Sequence, residues 1–472
     1  MDDRQKTYRA WNPNAGRQQA YVPAEVLPED DLVFFLMETI SEMDLTPFSG
    51  YYERELRGQP PFDVTMMVVL LVYSYAVGVF SSRKIAAACE RNLAFKVIVG
   101  NDPPDFRTIS DFRKIHREAF RNLFLEVLKL AGKLGMVRLG NLSTDGTKVE
   151  ANASRHKAMS YGYMEKEMNR LKAEIEKLLQ QAEQVDAEQD AALGSRRGDE
   201  LPAELKRREE RLQKIRQAKA RLEAEAKARA EEEQRRRAEE ESRRQAAGKS
   251  RGGRPRAAHK PTPEEKSQTN FTDAEAKIMK RSNKGFDYCY NAQAVVDGAE
   301  QIIMAAEVTA EANDKRQGVP MAKATLANLH AAEIARPVDE NGEPRKIPNT
   351  ADNGYFSEEA VEELENLGID PYIATGRQKH HESEASSSPM ESAGMAGVKE
   401  QMAAKLRTAG GRCLYAARKH IVEPVFGQIK QVRGFRKFLL RGLAKVAAEW
   451  QLICLTHNLL KIWRFKTLIP GP

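Results

Sequence analysis

Residues 164–247 constrain this chain more than any other part, because they read as helix yet interrupt a region that begins and ends as strand. Met164, Met168, Leu171, Ile175, Leu178, Ala182 and Val185 repeat at spacings of four and three, the seam of a coiled coil. Gly194 to Pro202 breaks the pattern, and Leu205, Leu212, Ile215 and Leu222 begin a second stripe. Two stripes separated by a break predict a helical hairpin. A sheet domain can carry such a segment only if the hairpin projects outward and the strands rejoin across it. The end of the second helix, about Ala224 to Gln245, is nearly all Ala, Glu and Arg and predicts a solvated or partly disordered helix. Arg251-Gly252-Gly253-Arg254-Pro255-Arg256 follows, readable as a flexible basic linker or as the Gly-Arg-Pro core of a minor-groove-binding AT-hook.

Up to about Gly135 the pattern is helical throughout. Met66 to Val79 is an apolar run too short to span a bilayer and suited to a buried helix. Ser81 or Ser82 is placed to cap a second helix through Ile85 and Cys89, and Thr108 or Ser110 a third that ends at Gly132 or Gly135. With Arg107, Arg113 and Arg117 nearby, this suits either a helix-turn-helix-like DNA binder or an ordinary helical domain. The four cysteines, Cys89, Cys289, Cys413 and Cys454, form no CxxC pair, so neither structural zinc nor a disulfide framework is expected. The polar start Met1-Asp2-Asp3-Arg4 and the lack of a long apolar stretch predict a cytoplasmic protein without membrane contact. Charge is uneven. From Gln401 onward, 14 Lys and Arg face only Glu423 and Glu449, although the whole chain carries a net +7. A basic end on a near-neutral body points to a polyanion.

Beyond the insertion, Tyr288 to Val296 and Gln301 to Val308 read as strands joined at Asp297-Gly298, and Gly318 to Ile334 as helix. Ile347 to Ala351 is a short strand ending at Asp352. Ser357 caps a helix that Gly368 stops, Tyr372 to Thr375 is strand, and Gln378 to Gly397 is loop. Leu439, Leu443, Val446, Trp450, Ile453, His457 and Leu460 mark the buried stripe of one long helix, with His457 a satisfied core histidine. In this order Asp145 and Asp352 sit on strands that can face one sheet edge. Glu423, immediately before Pro424, is expected at a helix start. A lone Asp-Gly is usually a turn, and it is the shared strand-helix order that sets these residues apart. Three convergent carboxylates repel each other unless cations intervene, and hard oxygen ligands select Mg²⁺ or Mn²⁺. Two such ions about 3.5–4 Å apart suit in-line phosphoryl displacement.

Three segments carry a family resemblance: Ser143-Thr144-Asp145-Gly146-Thr147-Lys148, Thr350-Ala351-Asp352-Asn353-Gly354-Tyr355-Phe356, and Tyr415 through Lys430, YAARKHIVEPVFGQIK. With them the chain resembles bacterial insertion-sequence transposases of the DDE type, in the class marked by a Tyr-Arg-Glu-Lys signature. GQPPFDVTMMVVLLVYSYAVGVFSSRKI with FRTISDFRKIH looks like their N-terminal domain. The resemblance implies an α/β RNase H-like catalytic domain, a mixed sheet flanked by helices, over residues 136–163 and 270–472. An all-α, DNA-binding-like domain would occupy 1–135, and a helical hairpin with a basic linker 164–269. It implies Asp145, Asp352 and Glu423 as the triad holding Mg²⁺ or Mn²⁺, two ions in all. Tyr415, Arg418 and Lys430 would hold DNA phosphates, with Arg433, Arg436 and Lys437 as further DNA contacts. Arg418 stands one residue further from Glu423 than the usual signature has it, and Lys419 occupies the usual spacing, so either can fill the Arg role. Double-stranded DNA, as terminal inverted repeats and target, is the implied partner, bound by a homodimer. An RNase H-like nuclease without strand transfer and a non-catalytic DNA-binding protein are the alternatives.

Overall fold

The computed structural model describes residues 22–52, 61–100, 102–193, 203–246, 260–281, 285–376 and 397–468. The AT-hook-like segment and most of the loop expected after Gln378 lie outside them. The chain divides into two units, Met1–Ala119 with Ile462–Pro472, and Phe120–Lys461.

The described residues of the first unit form α1 (Pro23–Val26), α2 (Leu32–Ser41), α3 (Thr46–Ser49), α4 (Val64–Ala76), α5 (Ser82–Arg91), α6 (Leu93–Val99) and α7 (Phe106–Ile115). The long helix α8 (Arg117–Lys133) starts there and runs into the second unit. The apolar run forms α4. Asp63 caps it by accepting from the Met66 N–H at 2.8 Å, and every residue from Met67 to Ala76 is buried, as a helix apolar on all sides must be. The third expected helix is two helices. Asp105, not Thr108 or Ser110, caps α7 by accepting from the Thr108 N–H at 2.7 Å, and the chain breaks at His116.

His116 is 3% exposed, with its ring against Phe48, Phe112 and Tyr52 and Nε2 3.1 Å from the Tyr52 hydroxyl. Burial lowers its pKa from 6.5 to about 4. The unfolded chain therefore takes up a proton near pH 6.5 that the folded one refuses until about pH 4. The stability that neutral His116 contributes is full above pH 6.5 and is lost as pH falls to about 4, a loss of about 3 kcal/mol. Urea midpoints of the wild type are expected to fall across that window, and those of His116→Gln to fall less.

The second unit is built on a mixed six-stranded sheet. In chain order come β1 (Leu142–Glu150), β2 (Ala158–Ser160), α9 (Tyr161–Leu193), α10 (Ala203–Ala246), β3 (Gln268–Asn270), β4 (Lys277–Lys280), β5 (Phe286–Asp297) and β6 (Ile303–Thr309). After them come α11 (Gly318–Ala331), β7 (Ile347–Ala351), α12 (Glu358–Asn366), β8 (Ile369–Ile373), α13 (Val398–Arg407), α14 (Ala409–Gly427) and α15 (Leu443–Leu468). The sheet order is β4-β5-β1-β7-β8, and β6 shares an edge of β5 with β4. The β1–β5 pairing is antiparallel, whereas β1–β7 and β7–β8 are parallel. After its first residue β5 is buried without interruption, as a strand covered on both faces must be. This architecture is compatible with an RNase H-like α/β domain.

The insertion is tied off at its base. β2 and β3 pair antiparallel, Ala158 opposite Asn270 and Ser160 opposite Gln268, so the chain leaves and re-enters the domain at one place. Beyond that tie Met164 and Leu171 of α9 pack with Leu212, Ile215 and Leu222 of α10. The remainder of α10 combines i,i+4 ion pairs, such as Arg237 with Glu233 at 2.6 Å, with pairs to the sheet domain, Glu232 with Arg316 at 3.7 Å and Arg236 with Glu359 at 3.6 Å.

Three expectations shift at element ends. β8 starts at Ile369, before Tyr372, and α15 starts at Leu443, after Gly442 at φ 84°, which leaves Leu439 outside it. Glu423 lies inside α14 and not at a helix start, with Pro424 also in the helix. Proline deprives the His420 carbonyl of its helical partner, and the Gln301 side-chain amide donates to that carbonyl instead, at 2.8 Å. That substitute bond lets the helix run through the proline.

Candidate active site

The parallel pairing of β1 with β7 covers only Leu142 to Thr144 against Asn349 to Ala351. Two buried hydroxyls pin this short register. Thr350 Oγ1 donates to the Leu142 carbonyl and Thr144 Oγ1 to Asn349 Oδ1, both at 3.0 Å. The next residues on the two strands are Asp145 and Asp352, brought together where the pairing stops and the two strands part. Asp352 Oδ1 accepts from the Gly354 N–H at 2.8 Å, which fixes the turn after β7. Asp145 Oδ1 accepts from the Gly146 N–H at 2.8 Å, and its Oδ2 lies 3.4 Å from Arg418 Nη1. Burial raises the Asp145 carboxyl to about 6. The charges of Asp352 and Asp314 add to the rise, while the Gly146 N–H and Arg418 oppose it.

Successive β1 side chains alternate between faces. Asp145 and Thr147 face α14 and the turn after it. Arg418 meets Asp145, and Lys430 donates to Thr147 Oγ1 and, at 2.9 Å, to the Lys148 carbonyl. Burial, followed by the neighbouring Arg281 charge, lowers the Lys430 ammonium to about 8. The Tyr415 ring lies 5.8 Å from the Arg418 guanidinium carbon, and burial raises its phenol. Arg418 Nε is buried without a hydrogen-bond partner among the described residues.

The opposite face of β1 carries Gly146 and Lys148. A Cβ at Gly146 would overlap the Gln293 amide and come within 2.8 Å of Asp314 Oδ1. This close approach is what glycine permits. Asp314 Oδ1 accepts from Asn291 Nδ2 at 2.6 Å and Gln293 Nε2 at 2.7 Å, and stands 3.4 Å from Lys148 Nζ. The Tyr355 hydroxyl donates to Gln293 Oε1.

Other expected site residues are placed differently. Glu423 and Lys419 are exposed on α14, and Glu423 lies along the helix between the two cations that reach β1. Arg436 and Lys437 are also exposed, and Lys437 pairs with Glu150 at 2.8 Å. Arg433 is a correction. It is 5% exposed and donates to the Ile453 carbonyl and Thr456 Oγ1, because Gly434 at φ 75° turns the chain back toward α15. It is an internal strut with no free face for DNA.

Among the described residues no three metal-ligating side chains converge. The cleft does offer two neighbouring carboxylates, the oxygen-donor type that Mg²⁺ and Mn²⁺ select, beside a cation-carrying helix. The donors fit such an ion in kind.

Two family models match the chain. One described as a transposase domain covers residues 22–115, and one described as a transposase DDE domain covers residues 378–463. The two matches support an insertion-sequence DDE transposase. No curated protein and no solved structure matches it. The DDE match spans α13, α14 and most of α15, so it includes Tyr415, Arg418, Glu423 and Lys430 but neither aspartate of the cleft. DDE transposases generally use divalent metals such as Mg²⁺. No helix among the chain's described residues is long and apolar enough to cross a membrane.

The sequence pattern did not reveal Asp314, Asn291 and Gln293. Asp314 sits in a charged loop, Glu311 to Lys315, that gives no pattern. The amides were visible, since two of them at i and i+2 in the buried strand β5 need buried partners.

Proposed function

We propose that this transposase cuts the terminal inverted repeats of its element and joins the freed ends to target DNA, with Asp145, Asp352 and Glu423 as its catalytic and metal-binding triad. The observation that carries this reading is the meeting of Asp145 and Asp352 where β1 and β7 part. Glu423 would supply the third carboxylate from α14, between Arg418 and Lys430. Bound Mg²⁺ or Mn²⁺, two ions in the full site, would supply an activated nucleophile and charge neutralisation for in-line displacement at phosphorus.

The chain's own groups do the positioning. Arg418 pairs with Asp145 and brings a guanidinium suited to a DNA phosphate, with the Tyr415 ring beside it. Lys430 holds the β1 backbone beside the cleft. The Tyr-Arg-Glu-Lys roles thus fall to Tyr415, Arg418, Glu423 and Lys430. Arg418, at 3.4 Å from Asp145, is the better candidate for the Arg role than exposed Lys419. Lys419, Arg436 and Lys437 are left to contact the DNA backbone outside the cleft. Double-stranded DNA ends would be paired by a homodimer.

The test is cleavage of DNA carrying the element's ends, with Mg²⁺ or with EDTA, by wild type and Glu423→Ala. Metal-dependent nicks at the ends that the variant fails to make are expected, followed by joined products. Nicks equally strong in Glu423→Ala would remove that residue from the triad. Cleavage without joined products would leave a nuclease, and binding without cleavage a DNA-binding protein.

A further inference from the structure

The triad reading has no use for Asp314, yet this side chain gathers more partners than either aspartate of the cleft. Asn291 and Gln293, both fully buried on β5, stand opposite Lys148 and Gly146 in the sheet register. Both amides donate to the same oxygen, Asp314 Oδ1, at 2.6 and 2.7 Å. Gln293 is held in turn by the Tyr355 hydroxyl, and Asn291 Nδ2 also donates to the Glu311 carbonyl at 3.1 Å. The carboxylate is thus fixed by groups that cannot rearrange cheaply. It lies by the cleft. A Cβ built on Gly354 would sit 2.9 Å from Asp352 Oδ1 and 3.7 Å from the Asp314 Cβ.

What Asp314 holds is Lys148, whose side chain is 19% exposed and whose ammonium lies 3.4 Å from Asp314 Oδ1. A half-buried ammonium on the strand that carries Asp145 needs a carboxylate partner. The Asp314 charge also acts on Asp145, so Lys148 and the two aspartates of the proposed metal site share this one carboxylate as a neighbour. We propose that Asp314 is a positioning residue of the transposase site, one that sequesters Lys148 and so keeps Asp145 and Asp352 free for a cation. The proposal rests on the reading of those aspartates as metal ligands. Gly146 is the backbone condition for the arrangement, because any side chain there would displace the Gln293 amide from Asp314.

The experiment is Mn²⁺ binding by the full-length protein without DNA, followed by electron paramagnetic resonance, in wild type, Asp314→Asn, Lys148→Met, the double variant and Asp145→Asn. Asparagine keeps an oxygen for the Asn291 and Gln293 amides, and a thermal melt of each variant reports on folding. Asp314→Asn is expected to weaken Mn²⁺ binding about tenfold or more, because the released Lys148 competes for the carboxylates. Lys148→Met alone should bind like wild type, and the double variant should recover to within about threefold of it. Unchanged binding in Asp314→Asn would overturn the proposal, and so would a double variant that stays as weak as Asp314→Asn. Failure of the underlying reading looks different. Wild type would then bind no Mn²⁺, or Asp145→Asn would bind it equally well, and the proposal would fall with it.

Discussion

Asp352→Ala is expected to lower cleavage of element-end DNA about a thousandfold or more while leaving DNA affinity within a few fold. The size follows from removing one of the carboxylates on which the proposed metal chemistry depends. The selectivity follows from what Asp352 does for the fold, which is little. Its side-chain hydrogen bond from the Gly354 N–H, the one it makes among the described residues, contributes about 1 kcal/mol. The register beneath it is held by Thr144 and Thr350, not by the aspartate. Asp145→Asn should be equally inactive but is expected to be more stable than wild type. Burial raises the Asp145 carboxyl from 3.8 to about 6, so the folded state binds its proton more tightly than the unfolded state does. Stability therefore declines as pH rises from about 4 to 6 and stays lower above that. At neutral pH the buried charge costs about 1–3 kcal/mol once loss of the Arg418 contact is allowed for. An inactive variant with a higher melting temperature at pH 7.5 marks a charge kept for chemistry and not for folding. Metal-dependent cleavage retained by Asp352→Ala, or an Asp145→Asn protein that melts earlier than wild type, would contradict the assignment.

Periodic segments were legible, and so was the residue type at strand ends. Apolar spacing from Met164 to Ile175 and from Leu205 to Leu222 marks the helix faces, and Met164 and Leu171 do pack with Leu212, Ile215 and Leu222. His457 reads correctly as a core residue, its two ring nitrogens 3.0 Å from Gln428 Oε1 and the Gln301 carbonyl. Errors fell where a long-range partner overrides a local rule. Pro424 signals a helix start by propensity, yet the amide of Gln301 satisfies the carbonyl that proline abandons, and no local window contains both residues. Arg433 reads as a phosphate contact from its basic surroundings, but a single turn at Gly434 sends it inward. Asp314 was invisible for the same reason. Its importance lies in partners from β1 and β5, and a loop aspartate carries no trace of them in its own neighbourhood. The β2–β3 tie that lets a sheet domain tolerate the hairpin is only three residues long on each strand, too short to leave a period.

The largest loss of stability among single substitutions in the second unit is expected for Trp450→Ala, about 3–5 kcal/mol. Trp450 is fully buried and has Phe426 of α14 as its aromatic neighbour, with ring centroids 6.3 Å apart. Its Nε1–H donates to the Gln293 carbonyl at 2.9 Å. Alanine would leave a cavity the size of an indole, and that β5 carbonyl would lose its side-chain partner. Trp450→Phe keeps most of the volume and loses the hydrogen bond, so its cost should be about 1–2 kcal/mol. Urea denaturation of wild type and both variants measures the two terms separately. Gln293 also joins this core contact to the cleft, since its backbone accepts from Trp450 while its side chain donates to Asp314. A Trp450→Phe protein that remains folded should therefore lose some activity at saturating metal and DNA, whereas a core residue unconnected to β5 would cost stability alone. If Trp450→Phe cleaves at the wild-type rate, the carbonyl contact serves folding only, and the polar floor of the cleft is held by Asp314 and Tyr355 without help from α15.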